Sequence, residues 1–107
     1  MIEIVYDEKT FSYSFKNHPF SSEKAKRAAK MILEENLAKP IKPRDFGEDI
    51  LYIFHTKEYV EFVKTMSQVG SGYLDYGDTP AYKNVHEDAL WLVYSTLTAI
   101  ENSLEKN

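Results

Sequence analysis

The chain has 107 residues, enough for one domain, and contains no cysteine, which excludes disulfides, thiolate zinc ligands and cysteine nucleophiles. Its formal net charge of −4 is spread along the sequence, so there is no basic footprint for nucleic acid and no polybasic anchor for a membrane surface. Because no apolar run approaches the ~18 residues of a spanning helix and the N-terminus lacks signal-peptide features, we expect a cytoplasmic protein.

The first half of the chain predicts a strand, a helix and a second strand. Alternation of apolar and other residues over 2–6 predicts a short, mostly buried strand. Apolar residues at helical spacing, opposite lysines, predict an amphipathic helix over 22–37. Pro40 and Pro43 then predict a stiff connector. The continuous apolar run at 49–54 predicts a strand covered on both faces, as in a parallel sheet.

The second half predicts two helices joined by a turn-rich loop. Thr56 can cap a helix that Gly70 ends. The loop at 70–80 holds three of the four glycines, and the longest helix runs from about Val85 to Leu104. This last helix is apolar around so much of its circumference that we expect partners on more than one side. The side chains that widen its apolar stripe are Trp91, Leu92 and Tyr94.

The resulting order is β-α-β-α-loop-α, which contains a βαβ-type unit. Parallel strands normally belong to a larger sheet, and two strands make a poor one. From the residues alone, we therefore expect the first part of an α/β domain whose remaining strands lie elsewhere.

Few side chains are predicted to carry chemistry. His18, His55 and His86 form no pair at metal-ligand spacing, which favours ordinary loop, core or surface histidines over zinc ligands. Asp78 leaves two interpretations open. Its carboxylate either binds backbone amides of its own turn or is held out on a rigid turn to accept the N–H groups of a ligand.

Three ordered segments carry a family resemblance: His18-Pro19, Phe54-His55-Thr56-Lys57-Glu58-Tyr59-Val60, and Gly77-Asp78-Thr79-Pro80 before the long helix. Together they resemble the N-terminal part of the zinc-dependent histone deacetylase and acetylpolyamine amidohydrolase family, which has the arginase/deacetylase fold. The resemblance implies that residues 1–107 form a single, truncated domain: the incomplete N-terminal portion of a three-layer α/β fold around a parallel sheet.

The resemblance also implies which residues act. Enzymes of the family hydrolyse acetyl-amide bonds with a zinc-bound water. Their zinc ligands and catalytic groups would follow the long helix, so we expect no catalytic residue, metal ligand or cofactor within this chain. Asp78 matches an aspartate that binds the substrate backbone, and Tyr76 and Gly77 lie beside it as further candidate substrate-binding residues.

The expected function is that of a non-catalytic, deacetylase-like subunit or module. It would require a C-terminal deacetylase chain as partner or would self-associate as a homo-oligomer, without direct contact to nucleic acid or membrane. One alternative is half of a split zinc-dependent deacetylase, active on acetyl-amides when the C-terminal chain joins it. A third is a small independent enzyme that uses His18, His55 or His86.

Overall fold

The computed structural model describes residues 2–15 and 21–106, with the side chain of Lys106 excepted. The chain divides into two compact units. One comprises Met1–Asp45 and Trp91–Asn107, and the other comprises Phe46–Leu90.

The first unit contains a parallel βαβ arrangement. Strand β1 (Ile2–Val5) pairs with β2 (Ala38–Ile41), and helix α1 (Ser22–Glu34) connects them. The register places Ile2 opposite Ala38 and Val5 opposite Ile41. The predicted α/β class is therefore confirmed, and the described residues contain a small parallel sheet.

Strand β2 was not predicted at this position. The sequence predicts a stiff connector around Pro40, but Pro40 lies inside β2, opposite Ile4. Proline is tolerated in an edge strand when its nitrogen faces away from the neighbouring strand. Its missing N–H then removes no hydrogen bond between the strands. The expectation that β1 is mostly buried is also wrong, because Ile2 is 74% exposed and the rest of the strand is half-buried.

Helix α1 follows its predicted pattern but ends three residues early. Ser21 caps it, with its hydroxyl accepting the backbone N–H of Glu23 at 3.3 Å. Asn36 adopts a left-handed conformation (φ 57°) and donates its amide to the carbonyl of Leu33. This C-terminal turn stops the helix, and Ala29 is its buried side chain.

The long helix α3 (Val85–Lys106) is confirmed, and its aromatic residues are packed within the first unit. Tyr94 is 2% exposed and meets Trp91 edge-on, with ring centroids 5.0 Å apart. Lys9, in a 3-10 helix at Glu8–Phe11, places its ammonium 4.3 Å from the centre of the Trp91 ring. Over the described ranges, no helix combines the length and apolarity needed to cross a membrane.

The second unit contradicts the predicted strand at 49–54. Glu48–Ile53 forms a 3-10 helix instead, preceded by Gly47 at a φ of +84°. Ile53 is 80% and Phe54 is 88% exposed, so the apolar run is not covered on both faces. A short apolar run does not distinguish a strand from a helical segment by periodicity, and here the helical turn prevails.

Helix α2 (Lys57–Val69) begins and ends where the sequence predicts. The Thr56 hydroxyl accepts the backbone N–H of Tyr59 at 3.2 Å. Gly70 ends the helix in a left-handed conformation (φ 78°) and donates its amide to the carbonyl of Met66. Gly70 therefore acts as the helix stop expected from a C-terminal glycine.

Candidate functional site

The loop that follows α2 is a closed turn rather than a free coil. Tyr73 and Pro80 form an isolated antiparallel bridge across it. Its backbone bonds are Leu74 N–H to the carbonyl of Thr79 and Ala81 N–H to the carbonyl of Gly72, both 2.8 Å. These bonds bring the two arms of the loop together and define its middle as residues 75–78.

One carboxylate organises the middle of this loop. Asp75 Oδ1 accepts the backbone N–H groups of Gly77, Asp78 and Thr79 at 3.2, 2.9 and 2.8 Å. Its Oδ2 accepts the Thr79 hydroxyl at 2.6 Å. The Thr79 hydroxyl, followed by the backbone amides, favours the charged form and lowers the pKa of Asp75 to about 2.

The three predicted substrate-binding residues lie next to this carboxylate. Tyr76 is fully exposed, and Asp78 is exposed with its own amide bound by Asp75. Gly77 lies between them at a φ of +105°, a conformation that side-chain-bearing residues rarely adopt. Asp75 binds the backbone amides of this turn, and substrate contact by Asp78 stays a prediction.

Both ends of the loop are fixed to helices of the second unit. Gly70 follows α2, and a side chain there would meet Cβ of Lys83 at 3.3 Å. Asn84 donates its amide to the carbonyl of Ser67 in α2. On the other side, Tyr82 donates its hydroxyl to Asp88 Oδ2 at 2.9 Å, within the first turn of α3. Hydrogen bonds to the flanking helices therefore hold both ends of the loop in place.

A buried histidine lies where α3 begins. His86 Nε2 is 2.8 Å from Glu48 Oε1, and Lys64 Nζ is 2.6 Å from the same oxygen. The hydrogen bond from Lys64, followed by that from His86, lowers the pKa of Glu48. Ser67 Oγ accepts the backbone N–H of His86 at 3.1 Å. His86 is thus a paired core histidine, one of the ordinary roles predicted for it, but the sequence did not indicate Glu48 or Lys64 as its partners.

Among the described residues, His55 has no second or third metal-ligating side chain beside it. His55 is half-buried between the rings of Phe54 and Tyr59, with centroids 5.0 and 5.4 Å away. His18 lies outside the described residues. Within the part of the chain that the structure describes, no group of three or more histidine, aspartate or glutamate side chains could hold a metal ion. The described residues therefore do not by themselves provide a ligand set for the zinc of the resembled family.

Comparison with known proteins agrees with the resemblance. The profile of the histone deacetylase domain matches residues 18–107. Two acetoin utilization proteins AcuC from Staphylococcus aureus, of strains MSSA476 and MRSA252, are 28% and 29% identical over 105 residues. Each alignment covers 88% of this chain and 27% of the relative, so the chain spans about a quarter of the length of the relatives it matches.

No solved structure matches the chain. The family assignment depends on the sequence profile, which extends over most of the 107 residues and includes the Asp75–Asp78 loop. The chain therefore belongs to the histone deacetylase and acetylpolyamine amidohydrolase family.

Proposed function

We propose that this chain supplies the N-terminal portion and the substrate-facing loop of a zinc-dependent deacetylase domain. The zinc ligands and catalytic groups would come from polypeptide other than these 107 residues, either in a longer protein or in a partner chain. Family membership supports the reaction class, and most of the length of the AcuC relatives lies outside their match to these 107 residues. Alone, the chain would bind substrate weakly and would not hydrolyse it.

The observation that carries this proposal is the geometry of the loop. Asp75 fixes the backbone at residues 77–79 and leaves the carboxylate-bearing residue Asp78 exposed beside the exposed ring of Tyr76. An exposed carboxylate on a fixed turn can accept the N–H groups of a substrate chain in charge-assisted hydrogen bonds. The substrate class we propose is an acetylated amine borne on a peptide or polyamine.

The parallel strand pair supports the proposed architecture. A two-stranded sheet is marginal by itself, and parallel strands occur almost entirely in larger sheets covered by helices. Ile2 of β1 is 74% exposed and would be covered if further strands and helices completed a three-layer domain. The remaining polypeptide would thus contribute both sheet and zinc site.

The experiment combines this chain with the part of a Staphylococcus aureus AcuC protein that lies outside the match, fused or co-expressed. We expect acetate release from an acetyl-lysine peptide only from the combined protein, and its loss when zinc is chelated. Asp78→Asn should lower kcat/KM by about 10-fold, since a charged hydrogen bond is lost. The matched control is Asp49→Asn, which removes a charge from another exposed residue of the same unit.

Two results would contradict the proposal. Zinc-independent hydrolysis by the 107-residue chain alone would place the active site within it. Equal kcat/KM for Asp78→Asn and Asp49→Asn would remove the substrate-binding role of the loop.

A second candidate is a self-associating, non-catalytic module. Ile100 and Leu104, one helical turn apart on α3, are 50% and 74% exposed and would form its contact surface. Tyr94 would not contribute, because it is already buried within the chain. Light scattering distinguishes this candidate: a dimer that Leu104→Glu converts to monomer would favour it, and a wild-type monomer at micromolar concentration would eliminate it.

A further inference from the structure

An exposed carboxylate binds a ligand well only when the backbone beneath it is already ordered. Fixing the backbone of a free loop costs about 1–2 kcal/mol per residue, and binding would have to supply that free energy. In this protein a single side chain, Asp75, binds the amides of three successive residues in the loop. We propose that Asp75 is the positioning residue that holds Asp78 in its substrate-accepting arrangement. The inference rests on the proposed function, which gives Asp78 a substrate.

The two oxygens of the Asp75 carboxylate have separate partners. Oδ1 accepts all three amides, including that of Asp78 itself at 2.9 Å. Oδ2 accepts the Thr79 hydroxyl, at 2.6 Å. Thr79 is consequently held at both its amide and its side chain, and the segment 77–79 is wrapped around one carboxylate. Asp78 lies in the centre of that segment, so any rotation of its backbone would break a bond to Asp75.

The charge of Asp75 strengthens this arrangement. Its pKa of about 2 keeps the carboxylate ionised at neutral pH. Hydrogen bonds to an ionised acceptor are roughly twice as strong as those between neutral groups. The ionised Asp75 carboxylate therefore holds the turn on which Asp78 is an exposed residue.

The base of the loop does not depend on Asp75. The backbone bonds between Leu74 and Thr79 and between Ala81 and Gly72 involve main-chain atoms alone. Loss of the Asp75 carboxylate would therefore free the amides of residues 77–79, while the main-chain bonds of the hairpin base and the flanking helices stay in place. Variants at Asp75 can be compared as folded proteins.

The first experiment measures loop order in the 107-residue chain without any substrate. Amide hydrogen exchange of Gly77, Asp78 and Thr79 is followed by NMR. Asp75→Ala should accelerate exchange at all three amides by about 10-fold. Asp75→Asn keeps a carbonyl oxygen that can accept the amides and should retain most of the protection. Asp78→Asn, which leaves the Asp75 carboxylate intact, should not change their exchange.

The second experiment measures hydrolysis of an acetyl-lysine peptide by the combined protein described above. Asp75→Ala should raise KM by about 10-fold with kcat little changed, as Asp78 is displaced from its place. Asp75→Asn should restore a KM near that of wild type. Thr79→Val removes only the bond to Oδ2 and should have a smaller effect, which Thr79→Ser should reverse because serine keeps the hydroxyl.

The outcomes separate this inference from the proposed function. Unchanged amide exchange in Asp75→Ala overturns the positioning role and leaves the function of Asp78 standing. Faster exchange with an unchanged KM, while Asp78→Asn still impairs catalysis, also overturns it. If Asp78→Asn has wild-type kinetics, the proposed function fails, and the inference fails with it.

Discussion

The buried imidazole of His86 meets the half-buried carboxylate of Glu48, with Nε2 and Oε1 2.8 Å apart. This contact joins the start of α3 to the 3-10 helix at Glu48–Ile53 within one unit. Lys64 from α2 approaches the same oxygen at 2.6 Å. One carboxylate therefore connects three elements next to the loop at residues 70–80.

We expect Glu48→Ala to destabilise the protein by about 1–3 kcal/mol, because the buried His86 ring loses its hydrogen-bond partner. The ion pair between Lys64 and Glu48 should contribute little to the free energy of unfolding, since both side chains are partly exposed and solvent screens their charges. Urea unfolding followed by circular dichroism measures the change. Glu61→Ala, at an exposed position of α2, is the control, and an equal loss of stability in both variants would contradict the prediction.

The pH dependence of the loop should follow Asp75. Its pKa falls from an ordinary 3.8 to about 2 on folding. Because the folded value is the lower one, the ionised carboxylate stabilises the loop fully above about pH 4, and this contribution is lost as the pH falls through 2. Amide chemical shifts of Gly77–Thr79 should titrate with a midpoint near 2. Asp75→Asn should abolish that transition, and a wild-type midpoint near 3.8 would refute the prediction.

Gly70 should tolerate few replacements. Its φ of +78° is left-handed, and an added Cβ would lie 3.3 Å from Cβ of Lys83. We expect Gly70→Ala to cost about 1–2 kcal/mol of unfolding free energy. Gly70→Asn should cost less, since asparagine enters the left-handed region more readily. Chemical denaturation of the two variants measures the difference, and an alanine variant as stable as wild type would show that the helix end relaxes without strain.

The buried hydroxyl of Thr98 in α3 should stabilise the unit formed by Met1–Asp45 and Trp91–Asn107. Thr98 is buried, and its Oγ1 accepts the backbone N–H of Arg44 while donating to the carbonyl of Tyr94, both at 2.8 Å. Thr98→Val keeps the shape but removes both bonds, so we expect a loss of about 1 kcal/mol or more. Thr98→Ser keeps the hydroxyl and is the control. A valine variant more stable than the serine variant would mean that neither bond stabilises the fold.

The sequence predicted the helices well because their signals are local. Apolar spacing identified α1, α2 and α3, and the capping residues Thr56 and Gly70 marked both ends of α2 correctly. The parallel βαβ unit was also predicted, but with its second strand misplaced. Propensity opposes a strand at Pro40, and only its pairing with β1 overrides that local preference.

The sequence predicted where the candidate site lies but not which side chain holds its loop. Turn residues marked the loop, and the resemblance indicated Asp78. That Asp75 holds the turn could not be inferred, because several acceptors and amides in this stretch satisfy the same turn rules. The pairing of His86 with Glu48 joins residues 38 positions apart, and no spacing rule predicts such a contact.

Trp91 is the chain's single tryptophan and lies in the unit formed by Met1–Asp45 and Trp91–Asn107. Its ring is bounded by the Lys9 ammonium and the edge of Tyr94, all in the same unit. Indole fluorescence is therefore a natural optical reporter of that unit, whereas the loop and the Glu48–His86 pair belong to the other. A substitution at Glu48 or Asp75 can be scored for its local effect by NMR, while the emission spectrum monitors the remainder of the protein without any added label.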